Sequence, residues 1–183
     1  MFRYPTDPAD RIWSFEVTSG ENTILRSPGV ALHGANSSIP IEVLQTAALN
    51  AERLQFLHTD LDMNYDDYLI ILFFLELDAN VQTGQRVFDV YVNGNKMYEK
   101  IDILRNGRLS NYREVSMRVK SNGYLNISLV KASAGVKYGP ICNAYEIFQV
   151  HQKAAETVQR DCTCLFLFSH DHYICFFLPL YMN

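Results

Sequence analysis

Apolar residues recur through much of this chain with a period of two. From Val87 to Val92, the residues Phe88, Val90 and Val92 mark one face, and Val87, Asp89 and Tyr91 mark the other. Asn93-Gly94 follows at once. A two-residue type I′ turn needs positive φ at both central residues, and Asn-Gly supplies that at little steric cost. The pattern predicts a hairpin, with Lys96 to Ile103 returning. In "VSMRVK" (115–120), Val115, Met117 and Val119 alternate with Ser116, Arg118 and Lys120. In "LNISLV" (125–130), Leu125, Ile127 and Leu129 turn inward, which directs Asn126 and Ser128 to solvent. "YLIILFFLEL" (68–77) is almost continuously apolar, lacks a polar helical face and is too short to cross a membrane as a helix. It reads as a strand buried on both faces. "NAYEIFQV" (143–150) supplies a last strand, and "IPIEVLQTAAL" (39–49) admits a strand or a short helix. Residues 1–28, rich in Pro, Asp, Ser and Gly, read as an irregular entry segment. Short strands separated by Gly, Asn and Ser turns predict an all-β fold, a β-sandwich or jelly roll over residues 29–150.

After Val150 the pattern breaks. "HQKAAETVQRD" is polar and mildly helical, and "CTCLFLFSHDHYICFFLPLYMN" is apolar around a Ser-His-Asp-His interruption. Each apolar run is far below the ~20 residues of a membrane helix. Residues 151–183 are therefore expected to be a poorly ordered tail that adds neither a sandwich strand nor a membrane span.

Composition narrows the function classes. A net charge of −4 with no Lys/Arg run argues against a nucleic-acid or anionic-membrane surface. Cys142 is the one cysteine of the body, and Cys162, Cys164 and Cys175 crowd the tail, so no disulfide framework holds the body. The start of the chain, "MFRYPTDPADRIW", has no basic region followed by an apolar run, so no signal peptide is expected. Two sequons, Asn36-Ser37-Ser38 and Asn126-Ile127-Ser128, make Asn36 and Asn126 glycosylation candidates.

Several segments together resemble a known family. "RYPTDPADRIW" (3–13) resembles the segment between two successive sandwich modules of plant malectin-like domains. "YLIILFFLEL", "RVFDVYVNG", "LNISLVKA" and "NAYEIFQV" are similar to that family's strands, in the same order and spacing. The resemblance covers residues 3–150 and implies the second malectin-like module of a leucine-rich repeat receptor-like kinase. It implies a truncated chain, with the first module, signal peptide, repeats, membrane helix and Ser/Thr kinase outside it. It further implies a non-catalytic ectodomain, extracellular at the plasma membrane in the full-length family, with no cofactor. The ligand implied is a carbohydrate such as a cell-wall glycan. The alternative is a peptide or co-receptor contact without sugar binding.

Other constellations are incomplete. Asp60, Asp62, Asn64 and Asp66 begin like a calcium loop, but Tyr65 stands where the turn needs Gly, and Ile71 where a bidentate Glu belongs. Cys162, Cys164, His170, His172 and Cys175 are soft ligands at Cys-x-Cys and His-x-His spacings, unlike structural zinc sites. No metal site is expected. No nucleophile elbow or phosphate loop occurs. Glu76 and Asp89 are carboxylates that could serve glycoside hydrolysis only if about 5–10 Å apart, and the family resembled is not catalytic. The animal lectin of that family carries a Tyr-Phe pair just after its Phe-Ala-Glu-x segment. Here Asp78-Ala79 follow Phe74-Leu75-Glu76-Leu77, and Tyr138 stands near the position of an acidic ligand residue. Tyr65, Tyr98, Tyr112 and Tyr138, in or near loops, are the candidate ligand-binding aromatics.

Overall fold

The computed structural model describes residues 2–5, 7–15, 22–62, 67–121, 123–150 and 174–177. In chain order the elements are β1 (Phe2–Arg3), β2 (Ile12–Phe15), β3 (Thr23–Arg26), α1 (Ile41–Leu44), β4 (Thr46–Leu49), β5 (Arg53–His58) and β6 (Asp67–Leu75). The hairpin strands β7 (Val87–Val92) and β8 (Asn95–Asp102) follow, then β9 (Tyr112–Lys120), β10 (Leu125–Lys131), β11 (Ile141–Cys142), β12 (Ala144–Gln149) and β13 (Ile174–Phe177). Among the described residues the strands form three sheets. One has the order β1-β2-β13-β12-β6-β9, the second β5-β10-β7-β8, and the third β11-β4-β3.

The first two sheets pack face to face, as the aromatic contacts between them demonstrate. Phe74 on β6 meets Phe88 on β7 edge-on, with ring centroids 5.2 Å apart. Phe56 on β5 meets Tyr145 on β12 at 4.8 Å. Each fully buried side chain of this size is worth about 1.5–3 kcal/mol of transfer free energy. β6 pairs β9 on one side and β12 on the other. Ile70, Leu72 and Phe74 are fully buried on one face of β6. On the other, Phe73 and Leu75 are buried while Leu69 and Ile71 are half-buried, so burial on both faces holds only towards the end of the strand.

The 87–103 hairpin is as its sequence predicts. Asn93 and Gly94 take φ of +49° and +79°, and Val92 pairs with Asn95. Phe88 pairs with Ile101 and Val90 with Tyr98, so Glu99 and Lys100 together oppose Asp89 in a bulge. Lys100 accordingly takes φ of +52° and donates its N–H to Asp89 Oδ1 at 2.8 Å.

Some local expectations change. Segment 39–49 holds both a helical turn, α1, and a strand, β4. Ser128 is 2% exposed rather than solvated, because the Arg53 side chain on the neighbouring strand lies over it and donates to its Oγ at 3.0 Å. Among its described residues the entry segment holds turns and the short strands β1, β2 and β3. Residues 174–177 of the tail form β13, antiparallel to β12 and parallel to β2.

A polar corner joins two sheets. β11 pairs with β4, whereas β12 pairs with β6, and Asn143 stands between them. Its side chain is fully buried, accepts from Leu75 N–H at 2.7 Å and donates to the Leu44 carbonyl. Asn143 N–H donates to the Phe73 carbonyl at 3.1 Å. One amide thus satisfies backbone groups that the sheet switch would leave unpaired in the core.

Candidate functional site

The "DPADRIW" motif forms a buried charged knot. Asp7 closes a turn by accepting from Ala9 N–H at 3.0 Å. Arg11 holds the same carboxylate through Nε and Nη2, at 3.0 and 2.8 Å, and Trp13 Nε1 donates to it at 2.8 Å. The guanidinium lies 5.1 Å from the Trp13 ring centroid, reaches Glu146 Oε1 at 3.0 Å through Nη1, and also donates to the Ser38 carbonyl. Burial alone would raise the Asp7 carboxyl, but hydrogen bonds from Arg11, Trp13 and Ala9 hold it below its ordinary value. With every strong group engaged internally, this knot positions the entry segment against β12.

A second buried pair shapes the open end of the sandwich. Arg86, just before β7, binds Glu76, just after β6, at 2.7 Å. Its Nη1 donates to the Gly139 carbonyl at 2.6 Å, and its guanidinium carbon lies 5.4 Å from the Tyr138 ring centroid. Arg86 and Tyr138 are also bridged through their backbones. Beside this unit opens a cleft of about 450 Å³, lined by Thr23, Leu25, Leu49, Asn50, Ala51, Asp78, Arg86, Lys131, Lys137, Tyr138 and Gly139. Asp78 also lines a smaller concavity of about 250 Å³ that includes His33 and Asn111. Lys131 is held by Glu52 at 3.1 Å, and Lys137 Nζ lies 4.9 Å from the Tyr138 ring centroid. A larger concavity of about 600 Å³ is walled mainly by small and apolar residues of the 31–44 stretch, with Glu42 its charged member.

Of the sequence-predicted aromatics among the described residues, Tyr138 lines this cleft, whereas Tyr98 and Tyr112 do not. Tyr138 is half-buried on the cleft wall, with its ring engaged by Arg86 and Lys137. Tyr98, on β8, is half-buried and donates to the Ser116 carbonyl, so it ties β8 to β9. Tyr112, at the start of β9, is buried; its hydroxyl accepts from Ser37 Oγ and donates to Glu114, both at 3.1 Å. Burial, with Glu114 and Glu146 nearby, raises its phenol well above the ordinary value. Tyr65 lies outside the described residues, as do Asn64 and Asp66 of the acidic loop.

The remaining candidates are distributed widely. Asn36 is exposed and lines the concavity of about 600 Å³. Asn126 is half-exposed on β10, where its Oδ1 accepts from Gln55 and Ser128. Glu76 is held by Arg86, and Asp89 by Lys96 at 2.7 Å. Each carboxylate thus has its own cation. Cys162, Cys164, His170 and His172 lie outside the described residues. No local sequence pattern marks Arg86, Lys131 or Lys137 as cleft residues. An available signal for the buried pairs was a lone charge within an apolar strand, such as Glu146 in "AYEIF".

Comparison with known proteins fits this architecture. The model of the malectin-like domain family matches residues 1–150. The nodulation receptor kinase of Pisum sativum is 42% identical over 161 residues, covering 87% of this chain and 17% of that protein. The extracellular domain of ANXUR1 from Arabidopsis thaliana superposes with a TM-score of 0.60 at 19% identity, over 74% of this chain and 40% of that one. A plant structure of the peptide RALF23 in complex with FER and LLG2 superposes with a TM-score of 0.59 at 22% identity, over 78% of this chain and 41% of that one. The chain thus spans less than half the length of these relatives. It belongs to the malectin-like domain family. Among the described residues no helix is long and apolar enough to cross a membrane.

Proposed function

We propose that this chain is a non-catalytic recognition module of an extracellular receptor, and that the cleft beside Tyr138 receives a peptide or protein partner. The observation that carries this reading is the composition of the cleft: Lys131, Lys137, Asp78 and Asn50 line it, while Tyr98 and Tyr112 serve contacts elsewhere. Carbohydrate recognition depends on exposed ring faces, and the Tyr138 ring already has Arg86 and Lys137 over it. An extended peptide instead presents carbonyls and carboxylates that lysines and amides satisfy. The complex of a structurally similar ectodomain with a peptide and a further protein supports a peptide or co-receptor role here. Sugar binding is the second reading, favoured by the place of Tyr138 on the cleft wall. Glycans on Asn36 and Asn126 fit the same extracellular setting.

The test is a displayed library of secreted-type plant peptides screened against the folded chain. The reading expects saturable binders whose affinity falls about tenfold or more in Lys137→Glu, since a reversed charge in the cleft repels acidic groups. Binders unaffected by Lys137→Glu and by Asp78→Lys would remove the cleft from the account.

A further inference from the structure

The strand order β2-β13-β12 places a segment from beyond the family match inside the sheet. The family model ends at residue 150, whereas β13 is Ile174–Phe177. β13 runs antiparallel to β12, with Ala144 opposite Phe177 and Ile147 opposite Ile174. It runs parallel to β2, with Cys175 opposite Trp13 and Phe177 opposite Phe15. β2 and β12 are not hydrogen-bonded neighbours.

The gap between them is set by residues within 1–150. Arg11, immediately before β2, reaches Glu146 on β12 with an N–O distance of 3.0 Å, while Glu146 pairs through its backbone with Cys175. Two strands that flank a third stand about 9–10 Å apart, twice the ordinary spacing. A long Arg side chain and a Glu side chain together span that width. The ion pair therefore holds β2 one strand-width away from β12. Each of the two strands presents an unpaired row of backbone donors and acceptors to the gap unless a third strand fills it.

We propose that the gap between β2 and β12 is a strand-acceptor site for an extended apolar segment of four residues, and that Ile174–Phe177 occupies it in cis. The site binds by strand addition: backbone hydrogen bonds supply affinity, and the register against Glu146 and Trp13 sets position. The occupant is joined to β12 through residues 150–173 rather than a tight turn. Because affinity rests on backbone hydrogen bonds, an extended segment of the same chemistry on another polypeptide fits the same slot.

The test uses the full chain carrying Cys175→Pro, which removes a ladder N–H from the middle of β13. The probe is a fluorescent synthetic peptide of residues 170–181 carrying Cys175→Ser. The variant is expected to melt at lower temperature than wild type and to bind the peptide saturably, at least tenfold tighter than wild type does. A folded variant that melts like wild type, or binds the peptide no better than a scrambled one, overturns the proposal. Hydrogen exchange on wild type stands independently of the variant's folding. Amides of residues 174–177 are expected to be protected, and exchange at the rate of the free peptide overturns it.

Discussion

Arg11 Nη1 lies 3.0 Å from Glu146 Oε1, across 135 residues of sequence, and neither side chain is more than 8% exposed. This contact ties the entry turn to β12. It gives the "DPADRIW" motif a physical reason: Asp7 and Glu146 are acids buried around one guanidinium, with Trp13 as a lid.

Removing that guanidinium takes the Arg11 cation from two buried carboxylates, Asp7 and Glu146. Arg11→Met is expected to cost about 3–5 kcal/mol, the usual penalty for breaking a buried pair from one side. Adding Glu146→Leu should recover part of the loss. Urea unfolding of the single and double variants measures both.

Asn143→Ala leaves Leu75 N–H and the Leu44 carbonyl buried without their side-chain partner. An unsatisfied buried group costs about 1–3 kcal/mol, so the variant should lose at least ~2 kcal/mol. Asn143→Asp should also destabilise, because a carboxylate cannot donate to the Leu44 carbonyl. Thermal melts of the two variants check this.

At Gly139 an added Cβ would lie 2.0 Å from the Asn50 carbonyl oxygen and 2.3 Å from that of Ala51. Gly139→Ala must therefore push the loop carrying Tyr138 away from the cleft wall. The expected result is a stability loss of about 1–3 kcal/mol from overpacking, with weakened ligand binding beyond what Lys137→Ala produces. Calorimetry against a selected peptide measures the second effect.

His58, on β5, is 5% exposed, and its Nε2 lies 3.1 Å from the Tyr145 hydroxyl on β12. Burial lowers its folded-state pKa, opposed by Asp60. Above the unfolded value of about 6.5 both states are neutral. Below it the unfolded chain takes up the proton first, so stability falls as pH drops from about 6.5 towards the folded pKa. His58→Gln should flatten that slope, as read from denaturation midpoints between about pH 7 and 5.5.

Much of the sandwich is legible along the chain because its signals are local. β6 announces itself by an unbroken apolar run, and the β7–β8 hairpin by alternation closed with Asn-Gly. Even the short β5 carries such a signal. Leu54, Phe56 and His58 are buried and alternate with exposed Arg53, Gln55 and Leu57, but the acidic stretch that follows masks it. β3 and β4 are different: "TILR" is largely exposed at a sheet edge, and "TAAL" buries small residues, so neither alternates visibly. The cleft is less legible again. Arg86, Glu76, Lys137 and Tyr138 meet only because the loops at one end of the sandwich converge, and no local pattern encodes that convergence. Tyr98 and Tyr112 appear as loop aromatics in sequence, yet their hydroxyls serve internal contacts with Ser116 and Glu114.

The most direct test of the central claim is a glycan array of glucose oligomers and cell-wall fragments, probed with the folded chain and with Tyr138→Ala. Recognition of a peptide or protein at the lysine-lined cleft predicts no saturable glycan binding by either protein. Saturable binding by the wild-type chain that is lost in a folded Tyr138→Ala variant would contradict it and establish a carbohydrate site at Tyr138.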